Sequence, residues 1–291
     1  MFEIILADHY GLCFGVRDAI AEAERLSTSA PLTVLGELVH NPVVRERLAG
    51  RGVGEQPLDA IGHAATPQVM ITAHGASDAA RTAWQSAGFA VADGTCPLVR
   101  RAHEELRQLV ALGYFPVVIG KRGHAEVNGL TGDFADAAVI ETEADLPRLA
   151  LAPKYGVISQ TTQPIEHVER LVTALRAARP QAEVRFCDTV CQPTKNRQIA
   201  LRKLIAQADT LVVVGGHNSN NTLQLLAAAL AAGRRAYHVE RPEELDPTWF
   251  EEAEIVGLTA GTSTLTETVA AVRTRLEEIA AIFTQTAITT L

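Results

Sequence analysis

Short apolar runs alternate with amphipathic stretches along almost the whole chain. The runs Ile4–Ala7, Val69–Ile71, Val117–Ile119, Gly156–Ile158, Thr210–Val214 and Ile255–Leu258 are continuous, the pattern of strands buried on both faces. Between them, Val16–Leu26, Leu98–Leu112, Ile165–Ala178, Thr194–Ala208 and Thr222–Ala232 carry apolar residues at helical spacing. Strands alternating with such helices predict βαβ units and a parallel α/β architecture. A final helix over Leu265–Phe283 is followed by TQTAITTL, which is expected to fray.

At 291 residues the chain can bury a large core and is expected to divide into two or three compact units. Hydrophobic content of 47% with 21% charged residues predicts a folded chain rather than a disordered one. A formal charge of −8 argues against a general nucleic-acid binder, which needs clustered Lys and Arg to neutralise phosphates. The opening MFEIILADHYGLCFG lacks a basic n-region and a small-residue cleavage site, and no apolar run approaches the roughly 20 residues that cross a bilayer. These features predict a cytoplasmic protein with no membrane partner, whose cysteines stay reduced and are more apt to bind metal or catalyse than to form disulfides.

Three cysteines sit in separate strand-to-helix turns: Cys13 in GLCFGV, Cys96 in DGTCPLV and Cys191 in CQPTKNRQ. They are too far apart for a local C-x-x-C clip, so they meet only if the fold brings similar units around one point. Each lies just before a predicted helix, with Pro97 suited to a first helical position and Pro193 to a first turn. A helix start offers partial positive charge and N–H groups, which stabilise a thiolate or the negative charge of an iron–sulfur cluster. Three thiolates without a fourth predict a metal centre with one open position. A tetrahedral zinc site with a histidine as fourth ligand is the competing metal reading. Cys187, in RFCDTVC, reads as a small buried hydrophobe. The cysteines divide the chain into residues 1–13 (a central first strand and cysteine turn), then α/β units over 14–95, 96–190 and 191–291, the last with the C-terminal helix.

Three histidines lie in turn segments: His40 in VHN, His74 in AHG and His124 in GHAE. Turns after parallel strands line the crevice where ligands bind, and imidazoles there can donate to phosphate or shuttle protons. His9, His63, His103, His167 and His238 read as satisfied structural residues. Glu126, two residues beyond His124, can hold a proton for a substrate oxygen if desolvated; otherwise it is a solvated loop carboxylate. The segment from Leu211 through Gly215 to Thr222 is a strand, a glycine turn and a hydroxyl- and amide-rich helix start, offering Ser219 and Asn221 to an anion. It lacks the Walker and dinucleotide glycine patterns, which weakens ATP and NAD as ligands. The turn containing Ser263 supplies another hydroxyl. Either turn alone reads equally well as N-capping; with the histidines they favour a diphosphate pocket.

Taken together these motifs resemble the 4-hydroxy-3-methylbut-2-enyl diphosphate reductase family. The matches are G-x-C-x-G-V, E-x-V-H-N, AHG, D-x-TCPLV, GH-x-E-V-x-G, QTT, C-x-x-x-x-NRQ, N-S-x-N and TAG-x-S, in order over about 270 residues. The resemblance implies a trilobed fold, three similar α/β units with small parallel sheets around a central 4Fe-4S cluster held by Cys13, Cys96 and Cys191. The fourth iron would be open to substrate. Glu126 would deliver protons with help from Thr161 and His124. His40, His74, His124, Ser219, Asn220, Asn221 and Ser263 would hold an allylic diphosphate, and a ferredoxin or flavodoxin would supply electrons. The chain departs from the usual pattern at Asn220, where a serine is common, at Ala125 and Leu265, where proline is common, and at Asn128 and His217; Cys187 is extra. These departures leave two alternatives: a paralogous reductase of another allylic diphosphate, and a cluster-binding sensor without catalysis.

Overall fold

The structure, a computed structural model, describes residues 2–39 and 41–289, with side chains as far as Phe283. The chain starts with β1 (Glu3–Leu6), α1 (Phe14–Ser27), β2 (Leu32–Leu35), α2 (Pro42–Ala49), β3 (Val53–Gln56), β4 (Gln68–Ile71), α3 (Asp78–Ser86) and β5 (Ala90–Asp93). There follow α4 (Pro97–Ala111), β6 (Phe115–Ile119), α5 (Ala125–Thr131), β7 (Ala138–Ile140), β8 (Lys154–Ser159), α6 (Ile165–Ala178) and β9 (Glu183–Phe186). The last stretch holds α7 (Gln192–Gln207), β10 (Thr210–Val214), α8 (Asn220–Ala231), β11 (Arg235–Val239), β12 (Ile255–Ala260) and α9 (Thr266–Thr289).

The strands form three four-stranded sheets, ordered β1-β12-β10-β11, β3-β2-β4-β5 and β7-β6-β8-β9. Every ladder is parallel, as alternation with helices requires. The fold class is therefore the expected one, α/β with three small parallel sheets. The chain gathers into two compact units: Met1–Cys13, Val39–Val44 and Gln192–Leu291 in one, Phe14–Leu38 and Arg45–Cys191 in the other.

In the first unit β10 is buried along its whole length and alternates its side chains between two cores. Val212 and Val214 pack with Leu258, Val269, Val272 and Leu276 of β12 and α9, while Leu211 and Val213 pack with Leu201, Leu204 and Leu225 of α7 and α8. In the second unit β6 does the same: Val117 and Ile119 join Leu171 and Leu175 of α6, and Val118 joins Leu106 and Leu109 of α4. Each fully buried Val or Leu of this kind contributes about 1.5–3 kcal/mol of burial.

The strands that the apolar runs did not reveal are mostly half-exposed edges, such as β3, β5 and β9, whose residues need only one covered face. The added helices α2, α3 and α5 span only two turns or so, too short for the spacing to stand out. The last helix continues to Thr289 rather than ending at Phe283. Among the described residues no helix is long and apolar enough to cross a membrane.

The arrangement has one consequence for chemistry. The turns bearing Cys13, His74, Cys96, His124, Thr161, Cys191, Ser219 and Ser263 all follow the carboxyl end of a parallel strand, where ligands bind in α/β proteins.

Candidate active site

In the second unit the central feature is Glu126. It is not a solvated loop residue: it lies in the first turn of α5 and is 2% exposed. The Thr161 N–H donates to its Oε1 at 2.5 Å, and the Thr161 hydroxyl bonds its Oε2 at 3.1 Å. Burial pushes the carboxyl up from its ordinary value to about 7, against the two Thr161 bonds, which favour the ionised form. Near neutral pH the group is therefore poised between acid and base.

His124 is the N-cap of α5, its Nδ1 accepting the Glu126 N–H at 3.1 Å. A neutral ring that accepts at Nδ1 carries its proton on Nε2. The His74 ring meets it edge-to-face with centroids 5.4 Å apart, and Thr72 Oγ1 lies 3.4 Å from His74 Nδ1. The turns bearing two cysteines are tied to this group through the backbone. Cys96 N–H donates to Ala73 O at 3.1 Å, one residue before His74, and Cys191 N–H donates to Thr161 O at 2.9 Å. Cys96 is the N-cap of α4, with Pro97 at its first position as the sequence predicts. Ahead of it, the Thr95 backbone N–H and hydroxyl both bond the Asp93 carboxylate, and Arg100 Nε donates to Thr95 O at 3.2 Å.

In the first unit Cys13 N–H donates to Thr262 O at 3.1 Å, beside Ser263. Asn221 Oδ1 accepts the Thr262 N–H at 3.0 Å, joining the start of α8 to the same turn. Ser219 caps α8, its Oγ accepting from Thr222 N at 3.4 Å. Ser263 Oγ, Asn220 Nδ2 and Thr222 Oγ1 are buried without a hydrogen-bond partner among the described residues. Such groups cost about 1–3 kcal/mol each unless an incoming ligand bonds them, and an oxygen-rich anion is the ligand their chemistry suits. His40 lies outside the described residues. Its neighbour Asn41, which the sequence reading passed over, donates to Ser263 O at 3.0 Å while accepting from Val43 and Val44 N–H. Asn followed by Pro before a short amphipathic helix is an N-cap signature that marks it in the sequence. His217 is exposed and meets His238 edge-to-face, with centroids 4.4 Å apart.

Cys187 packs beside Ala102 and Leu106, and burial, then Glu105, push its thiol up, which suits an inert residue. His103, expected to be satisfied, instead has a buried Nε2 without a partner among the described residues. Its burial favours the neutral ring.

The donor set fits a thiolate-held cluster at one point in particular. A Cβ on Gly15 would lie 2.4 Å from Cys96 Sγ and 3.0 Å from its Cβ, so α1 leaves room for that sulfur only by having glycine there. Among the described residues no three His, Cys, Asp or Glu side chains are grouped to hold a single ion. A cluster asks for a different arrangement, because each thiolate binds its own iron.

Turns at the ends of parallel strands, a buried carboxylic acid in one unit and, in the other, hydroxyl and amide groups without a partner among the described residues are the equipment of an α/β enzyme for an anionic small molecule. The chain matches the LytB protein family over residues 4–277 and belongs to it. It is 34% identical over 285 residues to the 4-hydroxy-3-methylbut-2-enyl diphosphate reductase of Aquifex aeolicus, covering 96% of this chain and 97% of that one. The enzyme of the same name from Citrifermentans bemidjiense is 37% identical, covering 90% and 92%. The solved E-1-hydroxy-2-methyl-but-2-enyl-4-diphosphate reductase of Plasmodium falciparum superposes with a TM-score of 0.85 at 25% identity, covering 92% of this chain and 86% of that one. A second solved reductase, described as the terminal enzyme of the non-mevalonate pathway, gives 0.68 at 34% identity, with 96% and 100% covered.

Proposed function

We propose that this chain is an oxidoreductase that removes the hydroxyl of (E)-4-hydroxy-3-methylbut-2-enyl diphosphate, giving isopentenyl and dimethylallyl diphosphate. The observation that carries the reading is Glu126, in a chain of the LytB family: a carboxylic acid that is buried and bonded to Thr161, and that burial pushes up to about 7. The reaction takes two electrons and two protons. One proton leaves with the hydroxyl as water, the other forms a C–H bond at either end of the allyl unit, and the two ends give the two products. Glu126 is the acid, its O–H passing a proton to the Thr161 hydroxyl and onward to the leaving oxygen. His124, whose Nδ1 accepts the Glu126 N–H, would donate from Nε2 to the substrate.

Cys13, Cys96 and Cys191 would hold a 4Fe-4S cluster. When bound, the cluster supplies electrons singly and a Lewis-acidic iron for the substrate hydroxyl. Ser219, Asn220, Asn221 and Ser263 hold the diphosphate with His40 and His74, fixing a charged tail beside the reactive end. Asn220 replaces a common serine with an amide, and its Nδ2, a buried donor without a partner among the described residues, supports the diphosphate reading. A ferredoxin or flavodoxin in the cytoplasm delivers the electrons.

The test is anaerobic turnover with a chemical reductant, scored for the two C5 diphosphates and for water loss. A brown, iron-loaded protein that forms them supports the reading. Loaded protein that leaves this diphosphate untouched while reducing another allylic diphosphate would favour the paralogue.

A further inference from the structure

Arg197 belongs to the NRQ motif on α7 and is 6% exposed, an unusual position for a charged side chain. Its Nη1 donates to Pro193 O at 2.9 Å and its Nη2 makes a short bond to Gly11 O. Pro193 is in the first turn of α7, the helix that begins directly after Cys191; Gly11 lies two residues before Cys13. The backbone of the Cys13 turn is pinned by Gly11 N–H to Ala260 O at 3.2 Å and by Cys13 N–H to Thr262 O at 3.1 Å. Arg197 adds the side-chain tie. A guanidinium does this because its donors form a rigid planar fork that reaches two carbonyls at once; an ammonium on a flexible stem does not.

We propose that Arg197 is a positioning residue for the cluster: it clamps the Cys13 turn to the start of α7 and fixes a buried positive charge beside that turn. This rests on the assignment of Cys13 as a cluster ligand. Ordering the turn keeps the thiolate in place, and the charge favours the more negative, reduced state, raising the reduction potential.

The experiment compares wild type, Arg197→Lys and Arg197→Met, reconstituted anaerobically with iron and sulfide. It reads iron per chain, the rate of cluster loss to an iron chelator, the midpoint potential, and thermal unfolding of each apo chain. The Met variant is expected to lose its cluster about 10–100-fold faster, the range typical of outer-shell changes at metal sites, and to have a more negative potential. The Lys variant is expected to keep a potential near wild type yet lose the cluster faster, which separates charge from clamp. Equal chelation rates and equal potentials in all three overturn the proposal, even if apo stability differs. Should the Met variant fail to fold, the Lys variant decides: faster loss with unchanged apo unfolding supports the clamp, and wild-type retention refutes it. A wild-type chain that takes up no iron brings down the cluster assignment itself, and that is seen before any variant is made.

Discussion

Replacing Glu126 by glutamine tests the buried acid directly. The amide keeps the shape: its oxygen accepts the Thr161 N–H and its NH₂ donates to the Thr161 hydroxyl, but it does not titrate. The carboxyl in the folded chain titrates at about 7 against an ordinary 4.5, and burial is the cause. A raised value means the folded chain binds the proton more tightly than the unfolded one. The associated stability is thus fully present below about pH 4.5 and is lost as pH rises to about 7. At about 1.36 kcal/mol per pH unit, the interval from 4.5 to about 7 amounts to about 3 kcal/mol. Denaturant unfolding of the reduced apo protein should therefore show wild type losing about 3 kcal/mol relative to Glu126→Gln between those pH values. An infrared C=O band from the protonated acid should fade around pH 7 in wild type and be missing in the variant. Parallel stability profiles, or a band already gone at pH 5, would refute the argument. The same group sets activity: turnover should fall as pH climbs through about 7, and Glu126→Gln should lower kcat by about 10²–10⁴-fold with little change in KM.

Gly15→Ala should abolish stable iron loading, because the new methyl would lie 2.4 Å from the Cys96 sulfur and 3.0 Å from its Cβ, and iron per chain measured on folded apo protein after reconstitution checks it. Full loading in this variant would contradict Cys96 as a ligand in the observed rotamer. Ser263→Ala removes a buried hydroxyl without a partner among the described residues, so the apo chain should gain about 1 kcal/mol in denaturant unfolding while KM rises about tenfold or more. Cys13→Ser, Cys96→Ser and Cys191→Ser should each lose the cluster by iron analysis, whereas Cys187→Ser should keep it.

What could be read from the sequence was set by a residue's own neighbours in the chain. Pro97 ahead of apolar residues at helical spacing announces the start of α4, and the observed helix begins there with Cys96 as its cap. The continuous run Thr210–Val214 announces a central strand, and β10 has those bounds. Long-range approach was not legible. Nothing in GHAEVNG shows that Thr161, 35 residues later, closes over Glu126 and converts a surface carboxylate into a neutral-range acid. Nor does GLCFGV show that Gly15 is small because Cys96 lies against it. Thr222 is a similar case: its hydroxyl occupies the space that a Cβ on Gly261 would need, at 2.1 Å, so the glycine of TAG-x-S serves a residue of α8.

The sequence also posed a choice that the folded chain dissolves. Ser219 and Asn221 read equally well as helix-capping residues or as anion contacts, as though one use excluded the other. Ser219 does cap α8, but its oxygen is the acceptor in that bond, so the hydroxyl proton is not consumed by it. Asn221 likewise spends its carbonyl oxygen on Thr262 N–H, which uses the acceptor end of the amide. Asn220 completes the pattern with a buried Nδ2 that bonds nothing among the described residues. Acceptors are turned inward to build the turn, and donors are the groups left over. That polarity is what a diphosphate, all acceptor, requires. It follows that a cap-preserving change such as Ser219→Thr should be tolerated far better in KM than Ser219→Asp, which can cap the helix equally well but sets a negative charge against the phosphate.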